Sequence, residues 1–273
     1  MKNILVTGGC GFIGSNFIHH LINKNDLSHI VNLDKLTYAG NISNLSQVSN
    51  SRHTLIEGDI CDSDLVKSLF DKYEFESVIH FAAESHVDRS IDGPSNFIHT
   101  NIVGTLNLLE HARSYFSKTK NEDFRFLHVS TDEVYGSLDD GGKFLESTPY
   151  DPSSPYSASK AGSDHLVRAW NRTYELPTLI TNCSNNYGPF QYPEKLIPLT
   201  ITNILRNKEI PIYGDGLNIR DWLYVEDHCE AIDLIIYKAI PGSTYCIGGN
   251  NELRNIDLIK KICESVDMHT LNL

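Results

Sequence analysis

A chain of 273 residues can bury a large core, as one sizeable α/β domain or as two lobes. With 23 Lys and Arg against 35 Asp and Glu, its formal net charge of -12 leaves no basic footprint for a nucleic acid, though local cations and helix N-termini can still hold small phosphates. The six cysteines form no C-x-x-C pair and the histidines show no metal-ligand spacing, so no metal is expected, and the thiols read as reduced in a cytoplasmic protein.

Met1 leads almost directly into a short apolar strand, Asn3 to Val6, rather than a signal peptide, and no apolar run reaches the roughly 18 residues of a membrane span. The strand runs into Thr7-Gly8-Gly9-Cys10-Gly11-Phe12-Ile13-Gly14, and Ser15 to Asn23 reads as a helix. In such a strand, loop and helix, Gly8, Gly11 and Gly14 serve a tight turn, close approach of backbone to pyrophosphate and packing of helix on strand. The next strand, Ile30 to Leu33, ends in Asp34, 20 residues beyond Gly14. A carboxylate there accepts hydrogen bonds from a ribose and repels a 2′-phosphate, so the expected cofactor is NAD rather than NADP. Lys35, directly after it, argues the other way.

Strand, turn and helix then repeat: Thr54 to Ile56, Gly58-Asp59-Ile60, a helix from about Ser63 to Tyr73 capped by Asp62 or Ser63, and a strand from Ser77 to Phe81. Alternation of this kind builds a doubly wound parallel sheet with helices on both faces, the Rossmann class of α/β fold. Asp59 either reaches an adenine or caps its turn. Ala82 and Ala83 end the fourth strand with small residues that let a flat ligand lie close to the backbone. His86-Val87-Asp88-Arg89-Ser90 is dense in polar groups and, taken alone, reads as a solvated loop. Pro94 opens a helix to about Ser114, whose apolar Phe97, Ile98, Ile102, Leu106 and Leu109 pack on the sheet or meet another subunit.

Phe124 to Val129 is a buried strand followed at once by Ser130-Thr131-Asp132-Glu133. Ligands of open α/β sheets bind beyond the carboxyl ends of strands, so this hydroxyl and two carboxyls either carry chemistry or merely turn the chain. A loop of about twenty residues, Gly136 to Ser154, follows; loops that long are usually functional or mobile. It ends at Pro155-Tyr156-Ser157-Ala158-Ser159-Lys160, which opens a helix to about Tyr174. Tyr156 and Lys160 share one helical face, and an ammonium beside a phenol lowers its pKa toward that of a usable base.

Leu179 to Cys183 is a further strand, ending in Ser184-Asn185-Asn186-Tyr187-Gly188-Pro189. From there the alternation relaxes. Lys195 to Leu205 and Val225 to Tyr237 read as helices, Pro211 to Tyr213 and Arg220 to Val225 as extended, and Tyr245 to Ile247 with Asn255 to Cys263 as a mixed tail. The expected division is 1–187 for NAD binding and 188–273 for a smaller substrate lobe. In that lobe Lys195 and Arg220 are either phosphate partners or surface charges.

These motifs resemble the extended short-chain dehydrogenase/reductase family over essentially the whole chain. Gly8-x-x-Gly11-x-x-Gly14 and Tyr156-x-x-x-Lys160 carry that likeness. Asp34 to Asn41, Ala82 to Ser90 and Ser130 to Gly136 are similar more narrowly to its nucleotide-sugar 4,6-dehydratases, which act on dTDP-glucose; sugar 4-epimerases of the family lack the Asp132-Glu133 pair. The resemblance implies that Phe12, Ile13, Asp34, Lys35, Leu36, Thr37, Asp59, Ile60, Ala82, Ala83, Ser85 and Thr100 line NAD, with Asn186 near the nicotinamide. It implies that Ser85, Thr131, Asn185, Lys195, Leu196, Pro211, Ile212, Tyr213, Arg220 and Asn255 hold the nucleotide sugar. Tyr156, tuned by Lys160, would take the O4 proton with Thr131 on the same oxygen; Glu133 would remove the C5 proton and Asp132 would protonate the departing C6 hydroxyl.

A homodimer through helices 94–114 and 156–174 is also implied. Cys10 stands where the family commonly has a small residue such as Ala, and its size fits. The family continues beyond position 273 with a portion that closes over the nucleotide, so the C-terminal lobe is expected to be incomplete. Two rival readings stand beside this one: an epimerase or decarboxylase on the same fold, in which Asp132 and Glu133 are idle, and a non-catalytic NAD-binding protein.

Overall fold

The computed structural model describes residues 3–24, 28–49, 51–138, 141–212 and 214–270. Its strands are, in chain order, Asn3–Thr7 (β1), His29–Asp34 (β2), His53–Glu57 (β3), Phe75–His80 (β4), Arg125–Thr131 (β5), Thr178–Cys183 (β6), Asn185–Tyr187 (β7), Ile219–Tyr224 (β8), Thr244–Ile247 (β9) and Glu252–Arg254 (β10). Seven form one parallel sheet in the order β3-β2-β1-β4-β5-β6-β9. Consecutive residues of the inner strands are buried, as expected where helices cover both faces. The strand order reverses between β1 and β4, and a crevice opens beyond the carboxyl ends of strands at such a point.

The helices are Phe12–Asn23 (α1), Ser63–Lys72 (α2), Val87–Asp92 (α3), Pro94–Phe97 (α4), Thr105–Thr119 (α5), Pro155–Tyr174 (α6), Leu196–Leu205 (α7), Val225–Lys238 (α8) and Asn255–Thr270 (α9). On one face of the sheet, Phe17, Ile18 and Leu21 of α1 join Cys229 and Ile232 of α8 over Ile4, Val6, Ile79 and Leu127. On the other, Val66 and Leu69 of α2, Leu108 and Leu109 of α5 and Val167 of α6 cover Leu5, Val31, Val78 and Phe126. Asp62, not Ser63, caps α2, accepting from the Leu65 N–H at 3.0 Å. Ser154 and Ser157 form a reciprocal capping box at α6 with Pro155 in the first turn, which fixes where the helix carrying Tyr156 begins.

The expected single helix from Pro94 is interrupted: between α4 and α5 the chain makes wider π-type turns over Ile98–Gly104. The buried Asn101 explains the placement. Its side chain accepts from the Glu84 N–H (2.8 Å) and donates to the Glu84 carbonyl (3.0 Å) and to Ser159 Oγ (2.8 Å). Its carbonyl accepts from the hydroxyls of Thr105 and Ser163, both at 2.6 Å. The wide turn thereby ties the stretch after β4 to α6, and π-turns of this kind concentrate at functional sites.

Residues beyond 188 do not all lie in the smaller lobe. The helix α8 packs on α1, and β9 extends the main sheet beside β6. The lobe itself is a three-stranded sheet, β10-β8-β7, with α7 packed against α9. Asn185–Tyr187, polar enough to read as a loop, is a strand because β8 pairs with it in parallel. The long loop folds back on the body: Asp151 N–H bonds the Val134 carbonyl, and Phe144 stacks on Tyr135. Of the stretch Pro211 to Tyr213, expected to be extended, Pro211 and Ile212 have no regular structure and Tyr213 lies outside the described residues.

Candidate active site

The glycine loop crosses close beneath the end of β4. Gly8 has φ +72°, and a Cβ there would lie 2.7 Å from the Ala82 nitrogen; one on Gly14 would lie 2.3 Å from the Gly8 carbonyl oxygen. Only glycine fits at both. No side chain caps α1, so its first backbone N–H groups remain for an anion.

Asp34 closes β2 with its carboxylate anchored at both oxygens. Oδ1 accepts from the Leu36 N–H and Oδ2 from the Cys10 N–H, each at 2.8 Å. Burial pushes its pKa up against these two hydrogen bonds, and each oxygen keeps a lone pair for a ribose hydroxyl. Lys35, which spoke for a 2′-phosphate, is engaged by Asp59 at 2.7 Å. The neutralised lysine and fixed carboxylate fit a dinucleotide with a free 2′-hydroxyl. Thr100, at the wide turn, and Ile60 line the same cavity.

At the far end of that cavity, about 350 Å³ in volume, β5 delivers Thr131, Asp132 and Glu133, and α6 delivers Tyr156 and Lys160. The short helical turn Asp132–Tyr135 is capped by Thr131, whose Oγ1 accepts from the Glu133 N–H at 3.2 Å and lies 3.3 Å from Asp132 Oδ1. Burial, with Glu133 beside it, pushes the Asp132 carboxyl up to about 6. Glu133 is also raised by burial, but Arg220 and Lys195 oppose the shift. The two adjacent carboxyls therefore sit in different electrostatic settings.

Tyr156 departs from expectation. Burial, followed by the Glu133 charge, pushes its phenol well above the ordinary value, and a hydrogen bond with Thr131 works against them. The Lys160 ammonium donates to the Val129 carbonyl at 2.9 Å and lies 3.3 Å from His128 Nε2. Burial pulls Lys160 down to about 8. The lowering of Tyr156 by Lys160 does not prevail here, because a fully buried phenol flanked by carboxylates favours its neutral form.

Gly8, Gly11, Phe12, Ile13, Gly14, Asp34, Lys35, Thr37, Asp59, Ile60, Ala82, Ala83, Ser85, Thr100, Asn185, Asn186 and Lys195 all line the main cavity. An adjoining recess of about 140 Å³ is lined by Leu196, Pro211, Arg220 and Asn255, and shares Asn185 with the cavity. Leu36 and Ile212 line neither. Leu36 contributes a backbone N–H to Asp34 instead, and Ile212 is exposed. Sequence reasoning missed the clasp at the mouth, where Arg89 stacks 3.6 Å over the Tyr38 ring and reaches Glu194 at 3.3 Å. No local signal joins residues so far apart in sequence.

Comparison with known proteins gives the family. The family model described as GDP-mannose 4,6 dehydratase matches residues 5–271. The dTDP-glucose 4,6-dehydratase of Xanthomonas campestris pv. campestris is 55% identical over 272 residues, covering 98% of this chain and 77% of that protein. The chain belongs to the dTDP-glucose 4,6-dehydratase family. Among solved structures, the family's Bacillus anthracis enzyme in complex with NAD superposes with a TM-score of 0.90 at 45% identity, covering 98% of this chain and 82% of that one. A UDP-glucose 4-epimerase from Thermotoga maritima shares the fold at TM-score 0.87 but only 30% identity, over 96% and 82%. The fold that carries Asp132 and Glu133 is therefore shared with a 4-epimerase.

Replacing Asp34 by Asn removes the charge and one of two anchoring acceptors. Fluorescence titration should show NAD affinity falling by about ten- to a hundredfold and the preference over NADP shrinking. Unaltered affinity for both would separate Asp34 from the ribose.

Proposed function

We propose that this chain converts dTDP-glucose to dTDP-4-keto-6-deoxyglucose by transient oxidation at C4, loss of water across C5–C6 and hydride return to C6. The observation that carries the reading is the electrostatic separation of Asp132 from Glu133 beside Tyr156 and Thr131. A sugar C5–H is not acidic until C4 is a ketone. NAD, when bound, supplies a reversible hydride acceptor and, in its oxidised form, a positive charge.

Tyr156 takes the O4 proton while the Thr131 hydroxyl bonds the same oxygen. Its raised pKa means that positive charge has to face the phenol before it ionises, and Lys160 is the chain's own contribution. Asp132, near 6, retains a protonated fraction at neutral pH and protonates the departing C6 hydroxyl, because hydroxide leaves poorly. At Glu133 the Arg220 and Lys195 charges favour the ionised form against burial, and this carboxylate removes the C5 proton.

The small lobe reads as the nucleotide-sugar side of the site, with Arg220 and Asn255 on the recess as the phosphate and sugar contacts. The exposed Ile98 and Val103 near α5 and Tyr174 of α6 support a homodimer across these helices. Free cysteines support a cytoplasmic setting, and among the described residues no helix is long and apolar enough to cross a membrane. The product suits deoxysugar synthesis of the dTDP-rhamnose kind.

With NAD in deuterated water, dTDP-glucose should lose water and gain deuterium at C5; an isomer of unchanged mass would mark an epimerase. Asp132→Asn should slow water loss by about a hundredfold or more while C4 oxidation persists, and undiminished dehydration would remove Asp132 from this role. Arg220→Gln should raise the Glu133 pKa. Activity that needs ionised Glu133 is lost as pH falls through that pKa, so the acid limb of kcat should move to higher pH; a stationary limb would uncouple the two residues. Sedimentation should give about twice the 30.7 kDa chain mass, and a single-chain mass would exclude the dimer.

A further inference from the structure

Behind Lys160, away from the cavity, lies a chain of buried polar groups that the dehydration steps do not use. Asp164 is one turn beyond Lys160 on α6, and the two are 0% and 3% exposed. Asp164 Oδ2 accepts from the Tyr150 hydroxyl at 2.7 Å and from Asn182 Nδ2 at 3.1 Å, and the Tyr150 oxygen accepts from Arg168 at 2.6 Å. Oδ1 makes no geometrically good hydrogen bond, and His128 Nε2 lies 3.3 Å from it. That same nitrogen lies 3.3 Å from Lys160 Nζ. One ring nitrogen cannot donate to a carboxylate and accept from an ammonium at once. A buried imidazole is thus wedged between a buried cation and a buried anion, satisfying one at a time.

We propose that Asp164 is a positioning residue: its fixed negative charge, acting across the His128 ring, keeps Lys160 protonated and so able to favour the Tyr156 phenolate. The proposal rests on the reading of Tyr156 as base. Asp132 and Glu133, on the turn packed against α6, act on the Tyr156 phenol, and Asp164 leads the influences that raise Lys160, ahead of Cys183. The remaining titratable groups around the lysine are Tyr156 of α6, His128 of β5, Cys183 of β6 and, behind His128, His80 of β4. Burial holds both histidines neutral, pushes the Cys183 thiol up to about 12, and keeps the Tyr156 phenol protonated. Asp164 is the exception: burial disfavours its charge, but His128, Lys160 and Tyr150 together hold its carboxyl below the ordinary value. Burial pulls Lys160 down, and the Asp164 charge is the leading influence that holds it up. A buried carboxylate that served only as acceptor for Tyr150 and Asn182 would have no need of its charge.

The test is an NMR titration of the Lys160 side chain through its Cε carbon, in the NAD-bound protein, for wild type and for Asp164→Asn. In the wild type Lys160 should titrate near or above pH 8 despite its burial. A wild-type value near 6 or below, as an uncompensated buried lysine gives, would overturn the proposal without any variant. In Asp164→Asn the titration should move down by about one unit or more, and the alkaline limb of kcat should move with it. Tyr150→Phe, which breaks the same hydrogen-bond chain but keeps the charge, should leave both where they are. Equal behaviour of the two variants would reduce Asp164 to a structural acceptor. The titration reads the lysine whether or not the protein turns over, so failed turnover would count against the proposed reaction, and an unmoved lysine against Asp164.

Discussion

The ammonium of Lys160 on the carbonyl of Val129 is the contact on which the rest of the site depends. A charge buried this deeply is tolerated only when donors and acceptors converge on it, so it fixes the helix that carries it against the strand that receives it. Once α6 is pinned to the end of β5, Tyr156, one turn earlier, has to face Thr131. The capping box at Ser154 sets the start of the same helix from outside. The position of the tyrosine is thereby settled by one piece of packing.

Around this contact the molecule concentrates its expensive chemistry in a small volume. The apolar layers on either side of the sheet contain few ionisable groups, whereas the ends of β4, β5 and β6 gather His80, His128, Lys160, Asp164 and Cys183 with little exposure. Most of their shifts begin with burial. The same dry surroundings that make these charges costly also make each neighbour count for more, which is why two adjacent carboxyls can differ in readiness to hold a proton.

Much of the fold was legible because it is written locally. The glycine loop, Asp34 and the alternation of strand with helix each depend on neighbours within a few residues, and the parallel sheet follows. What escaped the sequence was set by partners far along the chain. Asn185–Tyr187 pairs only because β8 arrives beside it, and the helix from Pro94 widens only because Asn101 has Glu84 and Ser159 to bind. In the candidate site, the spacing of Tyr156 and Lys160 is a property of one helix and could be read. The electrostatic surroundings of the phenol come from burial and from Glu133, neither of which a spacing reveals.

The path by which the chain enters and leaves the small lobe limits how that lobe can behave. It goes out after β6, comes back through α8 and β9, and goes out again through β10 into α9. Three separate covalent crossings join lobe to body, so the lobe is stitched on rather than hung from a single hinge. Any closing of the lobe over a substrate has to bend these three crossings of the described residues together rather than one.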